Sequence, residues 1–399
     1  MAILPTYVTA FTLTSALGVG NKATLDSIKS KTGGLSKHSM GDLGHTWFGF
    51  VNPVSLYPIA GELAGYDNQC NRMIQTALQQ DGFTNAVEQA KSKYGKSRVA
   101  CFLGTITGSI CLIEEDYQVK PVAPDLAPEN NYTRSGSLDA TVQYVRKSLD
   151  ITGPYATIGT ACSSSAKVFA TAYRYLQMGL CDAAIVAGVE TYSETLVNGF
   201  RSLGVLSTQP CKPWDSKRDG ISIGAAAGFA LLEKLPAETA GRPGKMELLG
   251  YGETTDGYDM TAPHPEGKGI EASMLLALKR AGLDAKDIDY INAHGSGTPM
   301  NDGAEDAAMH RIFGAEVPVS STKGWTGHTQ GAAGITEAII LMLGMENDLV
   351  PGSLNTGTVD ATLKCNIALD NQSRPIRYGL TNSMGFGGNN ATLIFGRTH

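Results

Sequence analysis

The sequence lacks the features that would tie it to a membrane, an oxidising compartment or a nucleic acid. No apolar run reaches the roughly 18 residues of a membrane span. The longest, residues 221–232 and 335–343, are short and interrupted by glycine or glutamate. Seven cysteines are scattered without a single C-x-x-C. Neither a disulfide framework nor a zinc site is expected, and no metal is assigned. Charge is sparse at 18% and slightly acidic, 32 Lys and Arg against 38 Asp and Glu. No basic stripe exists, so nucleic acid is excluded as a partner. The opening MAILP has no basic n-region and the first lysine is Lys22. A secretory leader is therefore not expected and a cytoplasmic location is. Only 17 prolines and no Gly-X-Y period exclude collagen and low-complexity chains. What is present is glycine, 47 in 399 residues, in a chain that is 42% hydrophobic. Those glycines belong at turns and close backbone approaches inside a folded chain of one or two domains.

Short apolar runs alternate with helical patterns. Residues 98–103 (RVACFL), 183–187, 288–292 and 392–395 read as buried strands bounded by glycine or polar turns. Residues 73–91, 163–180, 271–281 and 335–345 carry apolar side chains at helical spacing. This alternation predicts an α/β fold with a parallel or mixed sheet. The stretch 233–245 (EKLPAETAGRPGK) reads as a surface linker and divides the chain into residues 1–240 and 241–399. VACFLGTITGS around Gly104 and IDYINAHGSGT around Gly295 echo one another, each a strand ending in a small-residue loop. Duplicated units are the implication.

Three small-residue loops carry chemistry. In IGTACSSSAK, residues 158–167, Cys162 falls where a strand turns into a helix. The positive helix end and its unpaired N–H groups favour the thiolate that attacks acyl groups. The other six cysteines read as buried structural residues. His294 lies in NAHGSGT, residues 292–298, and His328 in SSTKGWTGHTQGAAG, residues 320–334. Each is placed for proton or hydrogen-bond work in a loop made mostly of small residues. Lys323 and Glu337 flank His328 and read as a pair orienting the site. His38, His45, His264, His310 and His399 lack such surroundings. The NSMGFGGNN run, residues 382–390, is not the dinucleotide fingerprint and precedes a strand, and no P-loop occurs. Nucleotide binding is not expected.

With Cys162, His294, Lys323, His328 and the Gly-Phe-Gly-Gly turn in this order, the sequence resembles the β-ketoacyl-acyl-carrier-protein synthases. These are decarboxylating condensing enzymes of the thiolase superfamily. KPWDSKRDG (212–220), TDGYDMT (255–261) and NDGAE (301–305) also match. The resemblance implies a thiolase-like five-layered α/β/α/β/α sandwich of two duplicated halves. The half 1–240 would carry the nucleophile and the half 241–399 the histidines. It implies a homodimer, or a heterodimer with a homologous ketosynthase-like chain, and an acyl carrier protein as partner. No cofactor is implied beyond the carrier's phosphopantetheine. Cys162 would hold the acyl chain as a thioester. His294 and His328 would stabilise the enolate left when malonyl loses CO2, by hydrogen bonding more than by charge. Lys323, held by Glu337, would shape the field around them. Backbone N–H groups of Cys162 and Phe386 would form the oxyanion hole, with the Phe386 ring as a gate. Ser296 and Thr298 would grip the pantetheine arm. Thr105, Ile106, Thr107, Gly108, Ile110, Phe200 and Met384 would line the acyl pocket.

Two histidines favour the elongating class over the class that starts from acyl-CoA. A thiolase would carry a second catalytic cysteine near the C-terminus, and none follows Cys365. Several positions depart from the family pattern. Gly224-Ala-Ala-Ala-Gly228 lacks the usual acidic residue, and Met384 replaces a common phenylalanine. Gly204 stands where an arginine often serves carrier docking, and residues 66–72 are less basic than usual. The loop 104–110 is closer to secondary-metabolite synthases, such as those of aryl polyenes. A Cys–His acyl transferase or hydrolase, or a pocket-shaping partner subunit, are the alternatives.

Overall fold

The structure, a computed structural model, describes residues 5–41, 44–52, 56–110, 114, 137–235 and 246–397. Ten strands build the frame. They are β1 (Thr6–Ser15), β2 (Val99–Gly104), β3 (Tyr155–Ile158), β4 (Ala183–Glu190) and β5 (Ala226–Lys234) in the first half. The second half holds β6 (Met246–Thr255), β7 (Tyr290–Asn292), β8 (Pro318–Ser320), β9 (Tyr378–Gly385) and β10 (Asn389–Arg397). The first five lie in the order β3-β2-β4-β5-β1, and the second five in the order β8-β7-β9-β10-β6. Adding five to each label of the first row gives the second. Orientation repeats as well. The first three strands of each row are parallel, and the last two run antiparallel to their neighbours. The chain is thus one architecture used twice, and the sequence echo falls on β2 and β7, which hold the same place in each row. The rows meet at a short antiparallel seam, Tyr7 with Glu247 and Val8 with Met246.

Helices fill the layers between and outside the rows. They are α1 (Gln69–Leu78), α2 (Phe83–Tyr94), α3 (Leu138–Ser148), α4 (Ser164–Gln177), α5 (Glu194–Ser202), α6 (Lys268–Ala281), α7 (Pro299–Phe313) and α8 (Ala333–Glu346). Strand periodicity assigns the layers. In β4, Ala183, Ile185, Ala187 and Val189 join the cluster under α1, α2 and α3, whereas Ala184 and Val186 join the one around α4 and α8. In β10, Leu393 and Phe395 face that same central cluster and Ile394 faces α6 and α7. The result is a five-layered α/β/α/β/α sandwich with α4 and α8 as its middle layer. Every residue of α8 from Ala333 to Met345 is buried, as befits a helix apolar on all sides.

One local expectation changes. The apolar pattern over residues 73–91 is not one helix but two, α1 and α2. Asp81 and Gly82 adopt left-handed backbone (φ 54° and 70°) and break it, which the stripe of apolar residues does not reveal. Residues 236–245, most of the expected linker with the division at 240, lie outside the described residues, as does His399. No helix among the described residues is long and apolar enough to cross a membrane.

Candidate active site

Cys162 sits one residue before the N-cap of α4 and lines an open cleft. The turn that delivers it is strained. Ala161 holds φ 52°, a conformation costly for a residue with a Cβ. Hydroxyls lock it: Ser164 Oγ accepts from Thr160 N–H at 2.9 Å and donates to the Ala161 carbonyl at 2.6 Å. Gly385, at the end of β9, presses on this turn. A side chain there would stand 2.9 Å from the Thr160 carbonyl and 3.0 Å from the Cys162 nitrogen. The two halves therefore touch backbone to backbone beside the thiol, and Phe386 follows directly.

The other half supplies the histidines. His294 leaves β7 in a loop that Glu305 of α7 holds, accepting the N–H groups of His294 and Gly295 at 2.8 Å each. The Asn382 amide donates to the same carboxylate at 3.2 Å. His328 follows β8, its N–H donating to the Ser222 carbonyl at 2.6 Å. The two rings lie edge to face, centroids 5.1 Å apart, and Cys162, His294 and His328 line the same cleft. Lys323 is fully buried. Its ammonium donates to His294 Nδ1 at 3.2 Å, to the His294 carbonyl and to Glu337 Oε1. The Gln330 N–H donates to His328 Nδ1 at 3.1 Å. Both Nδ1 atoms are occupied as acceptors, which assigns the ring proton of each histidine to Nε2. Burial holds both imidazoles well below the usual histidine range, and the Lys323 charge adds to it. The site thus contains two neutral rings, each with an Nε2–H donor.

One expectation is reversed. The helix terminus was expected to favour the thiolate of Cys162, but burial pushes this thiol up to about 12, against the opposing pull of Lys323. A helix N-terminus contributes only about 0.3–1 kcal/mol in ordinary cases. One pKa unit is about 1.4 kcal/mol, so desolvation wins.

Of the expected acyl-pocket residues, Phe200 and Met384 line the cleft. The loop of Thr105, Ile106, Thr107, Gly108 and Ile110 does not. It closes instead on Glu190, at the end of β4, which accepts from Thr105 Oγ1 at 3.0 Å, from Ile106 N–H and from Thr107 Oγ1. Ser296 and Thr298 do line the cleft, their hydroxyls 2.8 Å apart. Phe386 lines it too, its ring edge-to-face with Phe200 at 5.9 Å. Sequence reasoning missed Glu190 and Glu305. Both are buried carboxylates pushed up to about 7 by desolvation. For Glu305 the NDGAE match was a signal; for Glu190, at the end of an apolar strand, none was used. It also missed Met300, Asn301 and Asn390 in the cleft wall. Among the described residues no cluster suited to a metal ion occurs.

A thiol beneath a helix terminus thus shares one cleft with two imidazole donors contributed by the second copy of a duplicated, thiolase-like fold. Comparison with known proteins agrees. Residues 67–237 match the model of the β-ketoacyl synthase N-terminal domain, and residues 246–357 that of its C-terminal domain. The chain belongs to the β-ketoacyl synthase family. A Staphylococcus aureus protein named 3-oxoacyl-(acyl-carrier-protein) synthase 2 is 36% identical over 268 residues, 64% of this chain and 65% of its own length. Its namesake from Rhizobium meliloti is 38% identical over 258 residues, 61% of either chain. These matches span less than two thirds of the curated relatives. Among solved structures, the ketosynthase ApeO of Xenorhabdus doucetiae, in complex with its chain length factor ApeC, superposes with a TM-score of 0.89. It is 33% identical, and the superposition covers 99% of this chain and 98% of that one.

Proposed function

We propose that the chain is an elongating β-ketoacyl-acyl-carrier-protein synthase of fatty-acid or polyketide assembly. The observation that carries this is the pair of neutral Nε2–H donors, His294 and His328, facing the same cleft as Cys162. Cys162 Sγ attacks the thioester of an acyl-loaded pantetheine arm, the C–S bond of the arm breaks, and the thiol proton ends on the departing arm. A malonyl thioester then enters and its carboxylate leaves as CO2. The electron pair left behind becomes an enolate, whose oxygen accepts hydrogen bonds from both Nε2–H groups. Donors aimed at a developing charge in a dry site are worth far more than in water. Neutral rings suit this role, because they stabilise the enolate without protonating it outright. The enolate carbon attacks the Cys162 thioester. The N–H groups of Cys162 and Phe386 hold the tetrahedral oxyanion, which collapses to the β-ketoacyl product and free Cys162. Lys323, anchored on Glu337, keeps His294 in the donating tautomer. Ser296 and Thr298 hold the arm, and Phe200 and Met384 bound the acyl chain.

The same reading divides the chain near residue 240 into a nucleophile half and a histidine half. It makes an acyl carrier protein the partner and requires no cofactor beyond the carrier's arm. The likeness to a ketosynthase solved with its chain length factor supports a dimer, with a second copy or a homologous chain. The six described cysteines are all free, in keeping with a reducing cytoplasm. The test is to supply acyl-loaded and malonyl-loaded carrier proteins and follow three quantities. An acyl adduct on Cys162 by mass spectrometry, CO2 release and a β-ketoacyl product are expected together. Free acid without malonyl consumption identifies a hydrolase instead, and absence of any adduct a non-catalytic partner.

A further inference from the structure

Glu190 is buried at the end of β4 and takes no part in the condensing steps. It joins two segments from opposite halves of the chain. From the first half, Thr105 Oγ1 at 3.0 Å, the Ile106 N–H and Thr107 Oγ1 donate to its carboxylate. The Gly108 N–H closes the loop by donating to Thr105 Oγ1 at 2.9 Å. From the second half, Gly331 presses against this assembly. A Cβ on Gly331 would overlap Glu190 Oε1 and stand 2.9 Å from both the Ile106 nitrogen and the Thr105 Cα. Two residues earlier in β4, a Cβ on Gly188 would stand 3.1 Å from the Ala332 Cα. The end of β4 and the loop beside it therefore back the turn Gln330–Ala332.

That turn needs support. Gln330 holds left-handed backbone at φ 52°, and such strain persists only where the surroundings over-determine it. What depends on the turn is His328. The main chain of His328 is pinned on both sides, its N–H on the Ser222 carbonyl at 2.6 Å and its carbonyl on the Gly224 N–H at 3.0 Å. Its ring is oriented by the Gln330 N–H, which donates to Nδ1 at 3.1 Å. With α8 fixed beyond it, relaxing Gln330 to an ordinary φ would turn that N–H away from the ring. Resting on the condensing function proposed above, we propose that Glu190 is a positioning residue for His328. By backing Gly331 it keeps the Gln330 N–H on Nδ1, and so keeps the ring proton on Nε2. His294 owes its tautomer to Lys323 and lies outside this chain of contacts. The two donors are thus set independently, one by a side chain of its own half and the other across the contact between the halves.

The first test reads the ring itself and needs no turnover. In protein carrying nitrogen-labelled histidine, the two ring-nitrogen shifts distinguish the Nε2–H from the Nδ1–H tautomer. The signals of His328 are assigned by their loss in His328→Asn. The natural chain should show His294 and His328 both as Nε2–H. Glu190→Ala should turn His328 into a mixture of tautomers and leave His294 unchanged. Glu190→Gln keeps the side-chain length and an acceptor for Ile106, and should restore the natural signals. Gly331→Ala forces the same contact apart from the other side, with the carboxylate in place, and should reproduce the effect of Glu190→Ala. The second test is kinetic. Decarboxylation of malonyl-carrier by Glu190→Ala should fall about 10–100-fold, the scale of a misplaced donor. Acyl loading of Cys162 should change less than about threefold, because His328 acts on the enolate and not on loading. His328 signals unchanged in both variants, or disturbed together with those of His294, overturn the proposal. So do a failure of Glu190→Gln to restore them and an equal loss of loading and decarboxylation. Loss of the folded state in both variants overturns it too, since Glu190 then serves stability alone. A natural chain that condenses nothing defeats the enzymatic reading, and the tautomer measurement still decides on Glu190.

Discussion

The Lys323 ammonium donates to His294 Nδ1 at 3.2 Å, and this contact decides what His294 can do. It fixes the donor tautomer and adds a positive charge that opposes protonation of the ring. Lys323→Ala removes both effects, and it leaves Glu337 buried without its cation. Decarboxylation and condensation should each fall about 10²–10³-fold, the usual loss for one oxyanion-type donor. The acid limb of the pH–rate profile should move up toward neutrality, because a cause of the lowered histidine pKa is gone. Loss of one partner of a buried pair costs about 3–5 kcal/mol, so urea unfolding should be read alongside. An unmoved acid limb would separate Lys323 from His294.

Cys162→Ala should abolish condensation and spare decarboxylation of malonyl-carrier, since both Nε2–H donors remain. Released CO2 without ketoacyl product is the signature. Burial pushes the natural thiol up to about 12. Its alkylation by iodoacetamide should therefore climb about tenfold per pH unit through pH 7–9. A plateau in that range would show that the helix terminus outweighs burial after all.

The elements show why sequence reading reached Cys162 and stopped short of Glu190. A thiol in a run of Ala and Ser before an amphipathic helix announces itself locally. Likewise β2 and β4 were legible as short apolar runs, and α8 as a helix entered from a glycine-rich loop. Glu190 has no such mark. Its partners Thr105, Ile106 and Thr107 lie more than 80 residues earlier, and a glutamate after an apolar strand reads as the strand's solvated end. The break between α1 and α2 was hidden for a different reason, since Met73, Ala77, Ala86 and Ala90 keep helical spacing across it. In the loop 105–110, tertiary packing commits polar groups of Thr105, Ile106 and Thr107 to Glu190.

That commitment has a pH signature. Glu190 is raised to about 7 by burial, from 4.5. A carboxyl whose folded value lies above its unfolded one stabilises the fold fully below pH 4.5 and loses that contribution as pH rises through 7. Glu305 behaves alike. His294 and His328 act in the opposite sense, their depressed values removing stability as pH falls below 6.5. Glu190→Gln deletes one carboxyl and leaves the rest. Urea midpoints between pH 5 and 8 should decline less steeply in this variant than in the natural chain. Parallel curves would mean that Glu190 is not protonated in the fold.

The contact between the middle helices gives a purely structural prediction. The Ile335 N–H, at the start of α8, donates to Ser165 Oγ of α4 at 3.0 Å, and a Cβ on Gly334 would overlap the Ala166 backbone. Gly334→Ala should cost about 1–3 kcal/mol, as overpacking of a dense core does, and lower the melting temperature by several degrees. Gly303→Ala, where a side chain would meet nothing, is the control and should leave it within a degree or so.

The seam between the two rows of strands has one last implication. Among the described residues only Tyr7–Glu247 and Val8–Met246 pair across it, yet Cys162 stands on one side and the cleft imidazoles His294 and His328 on the other. A chain with a single half in place therefore owns either the thiol or the imidazoles, never both. On the condensing reading proposed above, carbon–carbon bond formation waits until the halves have docked, and its onset reports final assembly.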